Sequence, residues 1–353
     1  MAGNSYATQA QRIGKWKGEI LKHVVPQEVL GRVGVGSKKR LPKNVGDTII
    51  FRRWLPKGAT TANPNIWTVD PAAHTLTEGE TPNSDQIVAQ DITVTLQEYG
   101  VLYRFTNRVA DLYEDDIPPE MKRLTGERMG LLLEMIRYGV LKAGTNVYRA
   151  GNVASRSLVN GLVSANLLRN VARGLSANRA MKVSSVLSAS PNIGTQPIEA
   201  AFVVVCHTDL EADIRSQLSG FVHVSEYGQR KPMHENELGS WEQFRFVTSP
   251  ETGPYLLAGA TATANTRLAN GIPNSAGSEL CDVYPMLVMS EECYGDVMLR
   301  GMEGWDVTMI AAGTKTKDDP LGQRGYVGAS CYFAAVRLNE QMMAVVEVAA
   351  SSL

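Results

Sequence analysis

Apolar and polar positions change rhythm several times along the chain, and each change marks an element. Thr48 to Leu55 (Thr-Ile-Ile-Phe-Arg-Arg-Trp-Leu) is rich in β-branched and aromatic residues, which suit a pleated strand. From Asp91 to Thr106 the chain alternates, with Ile92, Val94 and Leu96 on one face. The alternation resumes at Tyr99, Val101, Tyr103 and Phe105, out of phase by one residue, and a bulge near Gln97-Glu98 would reconcile the halves. Residues 56–90 are rich in Pro, Thr, Asn, Ala and Asp and show no period. The pattern predicts two strands joined by a long tip, and structureless loops beyond about 12–15 residues are usually functional or disordered. At about 3.3 Å per residue the run from Asp91 to Thr106 would reach about 50 Å. A ribbon of that length projects beyond its own domain, and ordering it calls for another chain.

Residues 118–143 read as one long helix. Pro118 and Pro119 suit a first turn, and Met121, Leu124, Leu131, Leu132, Met135 and Ile136 give an apolar face at three- to four-residue spacing. Gly144 is a stop signal. Gly126, Gly130 and Gly139 each cost about 1 kcal/mol relative to Ala inside a helix. A second helical pattern runs over 155–172, and a third over 177–187 after the candidate cap Ser176. Ala200 to Cys206 is a nearly continuous apolar run, read as a buried strand. It leads into Thr208-Asp209-Leu210-Glu211, a capping box opening a helix that ends near Gly220. Strands are expected over 242–248 and 283–289, a short helix over 291–300, and closing strands over 305–311, 328–338 and 342–349, the last two joined at Asn339-Glu340. Residues 250–280, rich in Ala, Gly, Thr and Asn, read as an insertion. The fold class is α+β.

With 353 residues and 44% apolar composition, the chain can bury a sizeable core in one large domain or two to three smaller ones. No apolar run approaches the about 20 residues that cross a bilayer. Met1 to Arg12 lacks the apolar stretch of a signal peptide, so the protein is expected to mature where it is made. Cys206, Cys281, Cys293 and Cys331 have no metal or redox spacing and are expected as reduced, mostly buried thiols. Net charge is −1 but unevenly spread: residues 1–57 carry 12 Lys and Arg against 3 Asp and Glu, a net +9, leaving −10 on the rest. Such a basic arm would touch nucleic-acid phosphates or the acidic surface of a neighbouring copy. The plainer alternative is a solvated tail.

Candidate chemistry is sparse. Cys206 adjoins His207, but neighbours on a strand point to opposite faces and cannot form a thiol–imidazole pair. His23, His74, His207, His223 and His234 show no metal-ligand spacing with the cysteines. Glu235 and Glu237 beside His234 suit a surface loop, and Asp318-Asp319-Pro320 suits a turn. Gly31, Gly34 and Gly36 lack the strand-before, helix-after context of a dinucleotide loop. No phosphate-binding Gly-x-x-x-x-Gly-Lys loop or Gly-x-Ser-x-Gly elbow occurs. No catalytic residue, cofactor or metal site is expected.

Several stretches nevertheless form an ordered set: Gly46-Asp47-Thr48-Ile49-Ile50-Phe51-Arg52-Arg53, Leu76-Thr77-Glu78-Gly79-Glu80-Thr81-Pro82, Glu237-Leu238-Gly239, and Asp282-Val283-Tyr284-Pro285-Met286-Leu287-Val288. The most specific is Asp319-Pro320-Leu321-Gly322-Gln323-Arg324-Gly325-Tyr326-Val327-Gly328, followed by Tyr332-Phe333-Ala334-Ala335 and Leu338-Asn339-Glu340. Over roughly 45–350 these resemble the major capsid proteins of tailed bacteriophages, in particular the N-four-type podophage coat subfamily. The resemblance implies a Hong Kong 97-like fold: an N-terminal arm (1–45), an extended E-loop (46–107), a peripheral domain (108–195) with a spine helix at 118–143, an axial domain (196–300), and strands (301–353) returning to the peripheral domain. It implies a virion protein, assembled in the host bacterial cytoplasm into hexamers and pentamers of a homo-oligomeric icosahedral shell. Packaged double-stranded DNA, a portal, and scaffolding or decoration proteins would be its partners, with no membrane.

In such a shell Arg52, Arg53, Trp54, Glu78, Glu80, Asp319 and Arg324 are expected to contact neighbouring subunits, and Lys38, Lys39, Arg40 and Lys43 to contact DNA or a neighbour. The competing view of the charged pairs is solvated loop charges worth about 0–1 kcal/mol each. Lys57 alone does not support the Lys–Asn cross-linking of some shells. An encapsulin-like compartment of the same fold is one alternative; a soluble nucleic-acid-binding module using the basic arm is another. No sequence feature argues for a hydrolase.

Overall fold

A computed structural model of the chain describes residues 28–33, 36–60, 64–65, 69–79, 81, 84, 86–112, 117–187, 195–228, 231–262, 280–299, 306–315 and 317–351. Residues 1–27, where the sequence from Ala7 to Val24 suggests a short helix, lie outside the described residues, as do Glu80, Trp305 and residues 263–279.

In chain order the strands are β1 (Ser37–Leu41), β2 (Thr48–Leu55), β3 (Val88–Thr95), β4 (Gln97–Thr106), β5 (Val147–Arg149), β6 (Val183–Leu187), β7 (Thr195–Cys206), β8 (Val222–His223), β9 (Glu237–Trp241), β10 (Phe244–Thr248), β11 (Tyr284–Met289), β12 (Tyr294–Leu299), β13 (Asp306–Ile310), β14 (Arg324–Arg337) and β15 (Met343–Val348). The helices are α1 (Asn107–Leu112), α2 (Ile117–Lys142), α3 (Ala165–Ala177) and α4 (Glu211–Gln217). One sheet runs β1-β12-β14-β13, with β4 also on β14; a larger one runs β5-β15-β11-β7-β10-β9-β8, with β6 on β7. β2 and β3 form a separate two-stranded ribbon. The architecture is α+β, as the chain's patterning indicated.

The long helix α2 lies on the smaller sheet. Met129 and Leu133 pack on Ala329, Cys331 and Phe333 of β14, and Met121 packs with Phe105 and Val327. The buried stripe differs from the apolar one in the sequence: Met135 is exposed, whereas Glu134 and Arg137 are buried. In the larger sheet both faces are covered, so its central strands are mostly apolar, with Arg245 and Glu347 as buried exceptions. α3, α4 and the 3-10 turn before α4 cover one face through Leu168, Val171, Leu175, Leu210 and Ile214. Val29, Leu30 and Val33, with Tyr138 and Leu141 of α2, cover the other.

Several expectations need correction. The run from Asp91 to Thr106 is not one bulged strand. It breaks at Leu96, after which β4 leaves the ribbon and pairs with β14 instead. The phase change in the sequence therefore marks a change of partner. The second helix begins at Ala165, because the Ser164 side chain accepts from the Leu167 amide at 3.3 Å and caps it. Residues 177–187 do not form a third helix: α3 runs on to Ala177, and Val183–Leu187 pairs with β7. Residues 291–300 hold strand β12 between β1 and β14, where pairing on both sides overrides helical spacing. The helix after β7 starts with a 3-10 turn, and the His207 ring, not Thr208, accepts from the Asp209 amide. Of the last three strands, β13 and β14 join the sheet beneath α2, but β15 pairs with β11 in the larger sheet.

The two faces of α2 give a direct test. Leu133→Ala should lower the subunit's unfolding free energy by about 2–5 kcal/mol, whereas Met135→Ala should change it by about 0.5 kcal/mol or less. Denaturant titration of the two variants checks this, and equal effects would refute the assigned buried stripe.

Candidate assembly surfaces

The ribbon is two-faced. On one side Ile49 and Phe51 pack with Leu41, Val94, Leu96, Val297 and Ala334, and Leu55 is buried. The base of the ribbon thus rests on its own subunit, contrary to the expectation that only another chain could order it. The apolar side chains at the base supply enough burial to anchor it there. Arg53 lies on this inner side: Nη2 donates to Gln90 Oε1 at 2.9 Å and Nη1 to Asn65 Oδ1 at 3.5 Å. Burial lowers its pKa.

The other side faces solvent. Ile50 is 55% and Trp54 62% exposed, and between them Arg52 forms a two-point ion pair with Asp91, both bonds 2.7 Å. Its guanidinium also lies 5.9 Å from the Trp54 ring centre. Hydrogen bonding and charge in this pair raise the Arg52 pKa, and hydrogen bonding to Arg52 lowers that of Asp91. Further out, Val69, Leu76, Ile87 and Val88 are exposed, as is Glu78. Arg52 and Arg53 are therefore satisfied within the hairpin, and the outer apolar side chains are what the lone subunit leaves uncovered.

Asp319 and Arg324 meet within the chain as well. The Arg324 amide donates to Asp319 Oδ2 at 2.8 Å, and the Gly322 amide donates to the Asp319 carbonyl at 3.1 Å. Gly322 adopts φ +68° against the backbone of Gly313, and a Cβ on Gly325 would meet the buried Phe105 ring at 2.2 Å. The Asp319 to Gly328 motif is thus the physical code of the β13–β14 turn and its packing. Lys38, Lys39 and Arg40 are exposed on β1, with Lys43 exposed just beyond it. Lys38 Nζ reaches the Gly31 carbonyl at 3.4 Å.

Sequence reasoning missed a buried ionic network. Glu134 Oε1 accepts from the amides of Val29 at 3.0 Å and Leu30 at 2.7 Å, and Oε2 from Gly31 at 3.4 Å. Arg137 Nε donates to Asp296 Oδ2 at 2.9 Å, its Nη1 lies 3.7 Å from Glu134 Oε2, and its guanidinium is 5.0 Å from the Phe333 ring centre. The Tyr294 hydroxyl donates to the Leu30 carbonyl at 2.8 Å. Burial raises the pKa of both Glu134 and Asp296. The apolar spacing carried no signal for it, because Glu134 and Arg137 lie on a stripe that only burial reveals. Elsewhere the buried carboxylate of Glu347 is held by Arg149 at 2.9 Å and Arg156 at 2.6 Å.

The four cysteines are buried thiols outside any disulfide, and burial pushes Cys206 and Cys293 up to about 12. Glu237, expected in a surface loop, is buried in β9 and accepts from the Tyr227 hydroxyl at 2.7 Å. Among the described residues no group of three or more His, Cys, Asp or Glu side chains could hold a metal, and no helix is long and apolar enough to cross a membrane.

No family model matches the chain, and neither does any curated protein. Solved structures do match, over nearly its whole length. The capsid of Ralstonia phage GP4 is 12% identical, with 97% of this chain and 96% of that one covered at a TM-score of 0.66. The cyanophage Pam1 capsid is 12% identical, with 99% of each chain covered at 0.63. The cyanophage P-SCSP1u capsid is 11% identical, with 96% and 93% covered at 0.58. The chain has the phage-capsid, Hong Kong 97-like fold that the motifs implied.

The buried network gives a testable consequence. Glu134→Ala leaves Arg137 without one of its two carboxylates and three backbone amides without their acceptor. It should cost about 3–5 kcal/mol of subunit stability. Amide exchange at residues 29–31 should also accelerate more than exchange in β7. Unchanged protection of 29–31 would refute the pinning role.

Proposed function

We propose that this chain is the major capsid protein of a tailed bacteriophage, on its motifs one of the N-four type. In this reading it is a structural subunit without catalytic activity that builds an icosahedral shell around double-stranded DNA. The end-to-end likeness to capsid subunits carries the proposal. It is supported by the ribbon's outer face, where Ile50 and Trp54 are exposed beside an already satisfied ion pair. On a neighbouring copy these side chains would be buried, at about 25 cal/mol per Å² of apolar surface covered. Head-to-tail use of such a face closes hexameric and pentameric rings, and each subunit adds several modest contacts at once.

In this assignment the sheet beneath α2 is the peripheral layer and the larger sheet the axial one. Assembly takes place in the bacterial cytoplasm and the product is the virion, with a portal and scaffolding or decoration proteins as partners. An encapsulin-like compartment would share the fold and differ in holding an enzyme instead of DNA. Sedimentation and negative-stain imaging of the expressed full chain should show closed particles. Ile50→Glu with Trp54→Glu should leave the subunit folded, since both sites are exposed, and should reduce particle yield at least tenfold. Small oligomers alone from the unaltered chain would sink the proposal.

Lys38, Lys39, Arg40 and Lys43 are assigned to the phosphates of packaged DNA, an interaction without base specificity. Replacing all four by Gln should flatten the salt dependence of DNA binding, by roughly 0.9 in log–log slope for each phosphate no longer neutralised. An unaltered slope would reassign them to a neighbouring subunit.

A further inference from the structure

Two outer strands of the smaller sheet are furnished differently. β1 presents Lys38, Lys39 and Arg40 to solvent. Cations on an edge strand are an ordinary protection against pairing with another sheet. β13 pairs with β14 from Asp306 opposite Ser330 to Ile310 opposite Tyr326 without a bulge. Among the described residues no strand pairs with its other edge. Its sequence, Asp-Val-Thr-Met-Ile, has no Lys, Arg or Pro, and all five residues are exposed, Val307 by 53% and Met309 by 41%. Val307 and Met309 lie opposite Ala329 and Val327, which α2 covers, yet they remain uncovered themselves. A bare, flat, apolar edge of this kind is a template for strand addition.

We propose that the free edge of β13 pairs antiparallel with β13 of a second copy about a twofold axis, continuing the sheet from one subunit into the next. The strand is self-complementary in the register centred on Thr308. Thr308 then faces Thr308, Val307 of one copy faces Met309 of the other, and Asp306 faces Ile310. The two Asp306 carboxylates sit about 14 Å apart at about 3.4 Å per residue, so no like charges oppose each other. β1 of another copy fits less well, because in full register its three cations would be set against Val307, Thr308 and Met309. The inference rests on the shell reading and adds to it an isologous contact, of the kind that joins rings built by head-to-tail contacts.

The test is cross-linking of assembled full-length chain. Opposed residues in antiparallel strands hold their Cβ atoms about 4.5–5.5 Å apart, close to the about 3.5–4.5 Å of a disulfide. Thr308→Cys particles oxidised with copper phenanthroline should run mainly as disulfide-linked dimers, and Asp306→Cys particles as monomers. The native thiols are buried and give little background. Particles of Thr308→Cys that stay monomeric, or linkage through Asp306→Cys instead, overturn the pairing. Should Thr308→Cys fail to assemble, amide exchange in the unaltered protein decides: slower exchange at 306–310 in particles than in free subunits supports the pairing, and equal exchange overturns it. Particles without linkage leave the shell reading standing. If the unaltered chain forms no particles, that reading falls, and absence of linked dimers in soluble Thr308→Cys oligomers removes the pairing as well.

Discussion

The carboxylate of Glu134 is the constraint on which the rest of the subunit depends. It stands inside the molecule, where an unpaired charge would cost several kcal/mol, and it is compensated from two directions. Three backbone amides of residues 29–31 point at it, and Arg137 ties it to Asp296 of β12. A buried ion pair contributes little net stability, but it fixes position, because few other arrangements satisfy the same charges. Here it fixes residues 29–31, the long helix and the strand between β1 and β14. Leu30 and Tyr294 then carry that placement into the second core beneath the larger sheet.

Where local preference and tertiary demand agreed, the chain could be read directly. β2 was legible to the residue from its β-branched run, and α2 to within one residue at each end from its spacing and the stop at Gly144. β7, β10, β11 and the closing strands followed from apolar runs. Reading failed where pairing decided. β6 and β12 have spacing compatible with a helix and become strands because β7, β1 and β14 offer them ladders. The candidate surfaces were half legible. Trp54, expected at a contact between subunits, is exposed on the single chain, whereas the charges around it are engaged within the chain. No periodicity argument finds Glu134 and Arg137, because hydrophobic patterning scores a buried ion pair as surface.

The ribbon shows how one hairpin divides its work between faces. Period-two alternation sends Ile49, Phe51 and Leu55 inward, and Ile50 and Trp54 outward. The inward set anchors the base to its own sheet. The outward set would be stranded in water on an isolated molecule, separated by an ion pair that needs no further partner. A surface of that composition costs little as long as it is small, and it gains only when another apolar surface covers it.

The length of β14 has a consequence of its own. Residues 324–333 border β4, 326–330 border β13 on the opposite side, and 333–337 border β12. One strand is thus a common ruler for three neighbours. Inserting or deleting a single residue within it would turn side chains inside out along every ladder beyond that point. Changes in chain length are therefore tolerable only in segments that no ladder measures, such as the span between β2 and β3, and the spacing between the basic edge of the sheet and its bare edge is fixed by the covalent chain itself.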